Sequence, residues 1–159
     1  MLIRHARAED SRPGVPDRDR ALTREGAARF EATARGLARL LQRPAVLLTS
    51  PMLRARQTAA LCSATWGSIE PTPEPALASG SVDEVLEALE ARPHDASVVL
   101  VGHEPTMSML LTELLGGRAE AIRFGVGTAA LVEMDSLATR TARLVWFLPA
   151  EVTEALGTH

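Results

Sequence analysis

Residues 97–105 read Ser-Val-Val-Leu-Val-Gly-His-Glu-Pro. The aliphatic run through 97–102 has no polar alternation, which predicts a strand buried on both faces. Strands of that kind belong to parallel sheets covered by helices. Pro105 is placed to open a helix, because a first-turn proline gives up an N–H that has no intrahelical partner anyway. Gly116-Gly117 end that helix. Gly102, His103 and Glu104 therefore stand at the carboxyl end of a buried strand, the edge of an open α/β sheet where ligands bind.

The same order of strand, polar junction and helix recurs outward from this stretch. Residues 2–5 predict a short apolar strand, followed by a polar loop over 6–22 with Pro13, Gly14 and Pro16. Thr23 reads as an N-cap, and Ala27, Phe30, Leu37, Leu40 and Leu41 as the apolar stripe of a helix stopped by Pro44. Residues 45–50 (AVLLTS) predict a second buried strand, after which Pro51 opens a helix to about residue 65. Residues 66–80 form a Pro- and Gly-rich connection with a short edge strand near Ile69. Ser81 then caps a helix whose apolar face is Val82, Val85, Leu86 and Leu89. Residues 128–135 and 142–149 predict a closing hairpin, with a short C-terminal helix after it. Alternating strands and helices predict an α/β fold, a three-layer α/β/α sandwich with a mostly parallel central sheet. The length and the lack of a linker or repeat predict one domain over residues 1–159.

Composition narrows the chemistry. There is no Lys, no Asn and no Tyr, and all 17 basic residues are Arg. A lysine Schiff base, a P-loop lysine and a tyrosine nucleophile are thereby excluded. The single cysteine, Cys62, cannot form an internal disulfide, which predicts a reducing, cytoplasmic setting. No apolar run approaches the roughly 18 residues of a membrane span, and the N-terminus carries a charge at position 4, so neither membrane insertion nor a secretory signal is expected. Residues 1–60 carry a charge balance of +6 and residues 61–159 one of −9. The basic part predicts an anionic ligand. Arg24, Arg35, Arg39 and Arg43 fall on a solvated helix face. Aromatic residues are 3% of the chain and no binding motif appears, so nucleic acid is not expected as a partner.

Three strand ends carry the candidate site residues: Arg4 and His5, the stretch from Ser50 to Arg54, and His103 with Glu104. Arg54 falls in the first turn of its helix, where the macrodipole disfavours a cation but free N–H groups favour an anion. An arginine makes sense there if it shares a phosphate with them. Arg56 lies about 200° further round and is assigned to solvent. His94 and His159 read as surface residues. A zinc-protease helix would need a second histidine at 107, where Met107 stands. A cysteine phosphatase would need an arginine six residues after Cys62, where Ser68 stands, so Cys62 reads as packing. The glycines at 125 and 127 imitate a dinucleotide fingerprint but enter a strand instead of leaving one.

Taken in order, these junctions resemble a known family. Leu-Ile-Arg4-His5-Ala6 resembles the Arg-His-Gly signature of the histidine phosphatase superfamily. Ser50-Pro51-Met-Leu-Arg54-Ala-Arg-Gln57-Thr58 resembles its second arginine motif, and Val-Gly102-His103-Glu-Pro105 its second histidine motif. Asp17-Arg-Asp-Arg20-Ala-Leu22-Thr23-Arg-Glu-Gly26 is similar to the stretch after the first motif in the phosphohistidine phosphatase, SixA-type branch. The resemblance runs from residue 1 to about 135. It implies a phosphoglycerate-mutase-like fold and a two-step reaction. Neutral His5 attacks phosphorus and becomes phosphohistidine; water then releases phosphate. Arg4 and Arg54 clamp the phosphoryl oxygens, and a protonated His103 adds positive charge. The neighbouring arginines lower the pKa of His5. Arg20 and Glu104 are candidate substrate contacts, and no metal or organic cofactor is implied.

The chain departs from the family in one chemical respect. Many members carry a glutamate general acid in the connection after the second helix, where this chain reads Pro75-Ala76-Leu77-Ala78-Ser79-Gly80. Glu104, Glu9 and Asp10 are the candidate substitutes. The expected partner is a phosphorylated protein or a small phosphorylated molecule. The leading reading is a phosphatase for protein phosphohistidine. Its alternatives are a small-molecule phosphomonoesterase and, from another class, a non-catalytic phosphate- or phosphoprotein-binding module.

Overall fold

The computed structural model describes residues 1–117, 122–136 and 141–158. His159, expected at the surface, lies outside the described residues. A six-stranded sheet runs in the order β3-β2-β4-β1-β5-β6. Its strands are β1 (Leu2–Arg4), β2 (Val46–Thr49), β3 (Thr72–Pro73), β4 (Val98–Gly102), β5 (Ala129–Ser136) and β6 (Thr141–Leu148). The pairs β3–β2, β2–β4 and β4–β1 are parallel, and β5 joins antiparallel to both β1 and β6. The mostly parallel sheet and its closing hairpin are as expected. The edge strand lies at Thr72–Pro73 instead of near Ile69, which is buried in the core.

The period-2 alternation of the strands sorts the core into two layers. Ile3, Leu47, Val99 and Val101 face α1 (Arg24–Leu40) and α2 (Leu53–Thr65), packing with Phe30, Leu37, Ala55 and Cys62. Leu2, Leu48 and Leu100 face the other way, against Leu77 of α3 (Ala76–Ser79), Val85 and Leu86 of α4 (Val82–Glu90), and Met107, Leu110 and Leu111 of α5 (Thr106–Leu114). Burial pushes the Cys62 thiol up to about 12, which fits its reading as packing.

Thr23 and Ser81 cap their helices as expected, accepting from the backbone N–H of Gly26 and Glu84. Leu40 departs from the predicted stripe and is exposed. α1 also has a partner that periodicity does not reveal. The C-terminal helix α6 (Ala150–Gly157) lies directly on α1, at a spacing that only glycine allows. A Cβ on Gly36 would stand 1.9 Å from the Thr153 carbonyl oxygen, and one on Gly157 would stand 1.8 Å from that of Ala32. Pro51 and Pro105 precede their helices instead of entering them, with Met52 and Pro105 as the N-cap residues. No helix among the described residues is long and apolar enough to cross a membrane.

Candidate active site

Register brings the three junctions together. Arg4 pairs with Gly102 across β1–β4, and Thr49 with Val101 across β2–β4, so the strands end almost level. His5 and Ser50 extend this line, their N–H groups donating to the carbonyls of Gly102 (3.0 Å) and Val101 (2.9 Å). The rings of His5 and His103 consequently lie 4.9 Å apart, centroid to centroid. Both are buried, as is Arg54.

His5 is held in one tautomer. Its Nδ1 lies 2.6 Å from the Ala6 carbonyl oxygen, an acceptor only, so Nδ1 carries the proton and Nε2 the lone pair. The Nε–H of Arg54 donates to that Nε2 at 3.2 Å. Burial, more than charge, lowers the His5 pKa to about 4. The Ala6 bond opposes this, and Arg54, Arg4 and Arg20 add to it. The expected direction is observed, but desolvation is the larger cause. Burial, with lesser contributions led by His5 and Arg54, lowers the His103 pKa to about 3 and favours its neutral ring. Its Nε2 meets the fully buried Ser50 hydroxyl at 2.8 Å, and its buried Nδ1 has no partner among the described residues. Ser50 escaped the sequence reading as a contact of His103. The available signal was its place at a strand end level with that histidine.

The arginines converge from three directions. Arg4 reaches the Phe124 carbonyl with Nη1 at 2.6 Å, while its buried Nε has no partner among the described residues. Arg54 donates through Nη1 to the Asp17 carbonyl (2.7 Å) and through Nη2 to the Asp17 carboxylate (2.9 Å). Arg20 meets the other oxygen of that carboxylate and the Glu9 carbonyl. The Arg20–Asp17 surface pair thus exists, but Asp17 ties it to Arg54 and the site. Arg56 is exposed.

The remaining motif residues hold this assembly in place. Thr58 accepts from the Ala6 N–H at 3.1 Å and donates to the Arg54 carbonyl at 2.7 Å, and Gln57 accepts from the Leu22 N–H. Gly26 lets the segment after His5 pass, since a Cβ there would stand 2.3 Å from the Arg7 carbonyl oxygen.

Glu104 is differently employed from the sequence expectation. Its carboxylate accepts from the Ser108 N–H and hydroxyl and, at 2.7 Å, from the Phe124 N–H. It pins the segment whose carbonyl receives Arg4. Of the other candidate acids, Glu9 pairs with Arg12 at 3.6 Å and Asp10 is exposed. Asp17 is the carboxylate that meets these arginines, and Arg20 followed by Arg54 hold it below the usual carboxylate range, as an anion.

A family model described as the histidine phosphatase superfamily, branch 1, matches residues 1–81. The chain belongs to the histidine phosphatase superfamily. It is 40% identical over 130 residues to an uncharacterized protein of Picosynechococcus sp., covering 78% of this chain and 72% of that one. A solved structure of the protein histidine phosphatase SixA complexed with tungstate aligns at TM-score 0.84 with 25% identity, covering 95% of this chain and 96% of the other. A candidate phosphohistidine phosphatase SixA from Agrobacterium tumefaciens aligns at TM-score 0.79 with 31% identity, covering 92% and 94%. This member of the superfamily therefore shares both fold and sequence with SixA proteins.

Proposed function

We propose that this phosphatase removes the phosphoryl group from phosphohistidine on another protein, through a phosphohistidine intermediate on His5. The observation that carries the proposal is the His5 tautomer: an unprotonated Nε2 directed at a buried arginine is a nucleophile beside an oxyanion clamp. Arg4, Arg54 and Arg20 neutralise the phosphoryl oxygens, and His103 completes the seat. A phosphoryl dianion beside His103 favours a proton on its ring.

In the first step Nε2 of His5 bonds to phosphorus as the bond from phosphorus to the substrate nitrogen breaks. The substrate ring carries a proton on its other nitrogen, so the electron pair of the broken bond stays on the leaving nitrogen and neutral imidazole departs. In the second step water attacks phosphorus, the His5–phosphorus bond breaks, its electron pair returns to Nε2, and phosphate leaves. The substrate class follows from the charge state of the carboxylates. Asp17 is an anion and Glu104 is engaged elsewhere, so a leaving group that needs a proton in the transition state is poorly served. General acid catalysis is worth about 10²–10⁴-fold to an alkyl ester. A phosphohistidine ring protonated on its other nitrogen leaves as neutral imidazole without it. The tungstate held by the similar SixA is a tetrahedral oxyanion, in keeping with a phosphoryl seat.

The deciding experiment compares kcat/KM on a phosphohistidine peptide, an aryl phosphate and a sugar phosphate, with acid-labile labelling of wild type and His5→Ala. Preference for the first two and label lost in His5→Ala are expected. Turnover of the sugar phosphate alone favours a small-molecule phosphomonoesterase. Binding of phosphate without turnover of any substrate favours a binding module.

A further inference from the structure

Asp17 sits where an incoming anion is needed. Its carboxylate spans two arginines, with Oδ2 at 2.9 Å from Nη2 of Arg54 and Oδ1 at 2.8 Å and 2.7 Å from Nε and Nη2 of Arg20. Its main-chain carbonyl takes Nη1 of Arg54, and His5 takes Nε. Met52 Sδ lies 3.2 Å from Nη2 as well, so four of the five N–H donors of Arg54 meet partners within the chain, and a phosphoryl group seated on that fork competes with these partners. The field of Asp17 also reaches His103, raising its proton affinity against the other influences on it.

The pair is asymmetric in a way that favours exchange. The Arg54 side chain is 6% exposed and that of Asp17 is 55% exposed. Stripping a buried guanidinium of its partner is costly, so Arg54 requires an anion at all times. A half-exposed carboxylate at the start of a single 3₁₀ turn (Asp17–Asp19) returns to water at little cost. A phosphoryl dianion brings twice the charge and three oxygens, and outcompetes it.

We infer that Asp17 is an internal stand-in for the substrate's phosphoryl group, holding the Arg54–Arg20 fork between turnovers and yielding it on entry of a phosphorylated substrate. The inference rests on the proposed phosphoryl seat at His5 and Arg54. It makes Asp17 a determinant of anion affinity. The net binding of phosphate is what remains after the carboxylate is displaced, which weakens product retention and discriminates against singly charged oxyanions.

The test is the dissociation constant for inorganic phosphate, measured calorimetrically on wild type, Asp17→Asn, Asp17→Ala and Asp19→Asn. Both Asp17 variants are expected to bind phosphate about tenfold more tightly, a change in the opposite direction to damage of a purely structural contact. Asp19→Asn, which removes a neighbouring charge that pairs with Arg18 instead, is expected to match wild type. The loop keeps two anchors in these variants, the Asp17 carbonyl on Arg54 and Arg20 on the Glu9 carbonyl. Unchanged or weaker phosphate binding in either Asp17 variant overturns the inference. Aryl phosphate turnover is recorded in parallel. Its absence in wild type defeats the catalytic reading, while the ratio of dissociation constants still decides the role of Asp17.

Discussion

Arg54 donates its Nε–H to the lone pair of His5 at 3.2 Å, so the atom proposed to attack phosphorus is capped by the group proposed to receive the phosphoryl oxygens. The contact suits only a neutral imidazole. Burial lowers His5 to about 4 and His103 to about 3, against 6.5 for a free histidine. The unfolded chain therefore gains protons from about pH 6.5 downward and the folded chain only near 4 and 3. The stability these groups contribute is complete above pH 6.5 and is lost as pH falls through that interval. Urea midpoints measured without ligand are expected to drop from pH 6.5 to 4. The double variant His5→Ala/His103→Gln is expected to show a shallower slope; an unchanged slope refutes the assignment.

Ser50, fully buried, holds His103 by a 2.8 Å contact. Ser50→Ala leaves a second ring nitrogen unpartnered and is expected to cost about 1–3 kcal/mol of stability. Loss of ring orientation is expected to lower kcat by about 10- to 100-fold. Chemical denaturation and steady-state turnover of an aryl phosphate measure the two effects, and wild-type kcat removes Ser50 from the site.

Glu104 separates a structural carboxylate from a catalytic one. Its oxygens accept from donors on Ser108 and Phe124, so Glu104→Gln turns an amide N–H toward another donor. A loss of about 1–3 kcal/mol in stability is expected, with kcat on alkyl phosphates changed only a few-fold. The reverse pattern, full stability with kcat collapsed, makes Glu104 the general acid.

Gly36 inverts a general rule. Gly→Ala inside a helix normally stabilises by about 1 kcal/mol. Here a Cβ would stand 1.9 Å from the Thr153 carbonyl oxygen, so Gly36→Ala must push α6 away from α1. A loss of about 3 kcal/mol is expected, read as a lowered Tm. A raised Tm refutes the close crossing.

Local physical chemistry sufficed for much of this protein. Unbroken aliphatic runs at 45–50 and 97–102 required buried strands, Thr23 and Ser81 supplied caps, and polar residues after each run marked a ligand edge. Arg4, His5, Arg54 and His103 could be named because their chemistry and their places at strand ends are local properties. Contacts between distant residues needed the tertiary structure. Periodicity describes how apolar a helix face is, not how near its partner comes, so the α1–α6 crossing was hidden. Proximity alone made Ser50 the partner of His103, turned Glu104 toward Phe124, and set Asp17 on Arg54 across 37 residues. Burial, which belongs to the assembled core, lowers the proton affinity of both histidines.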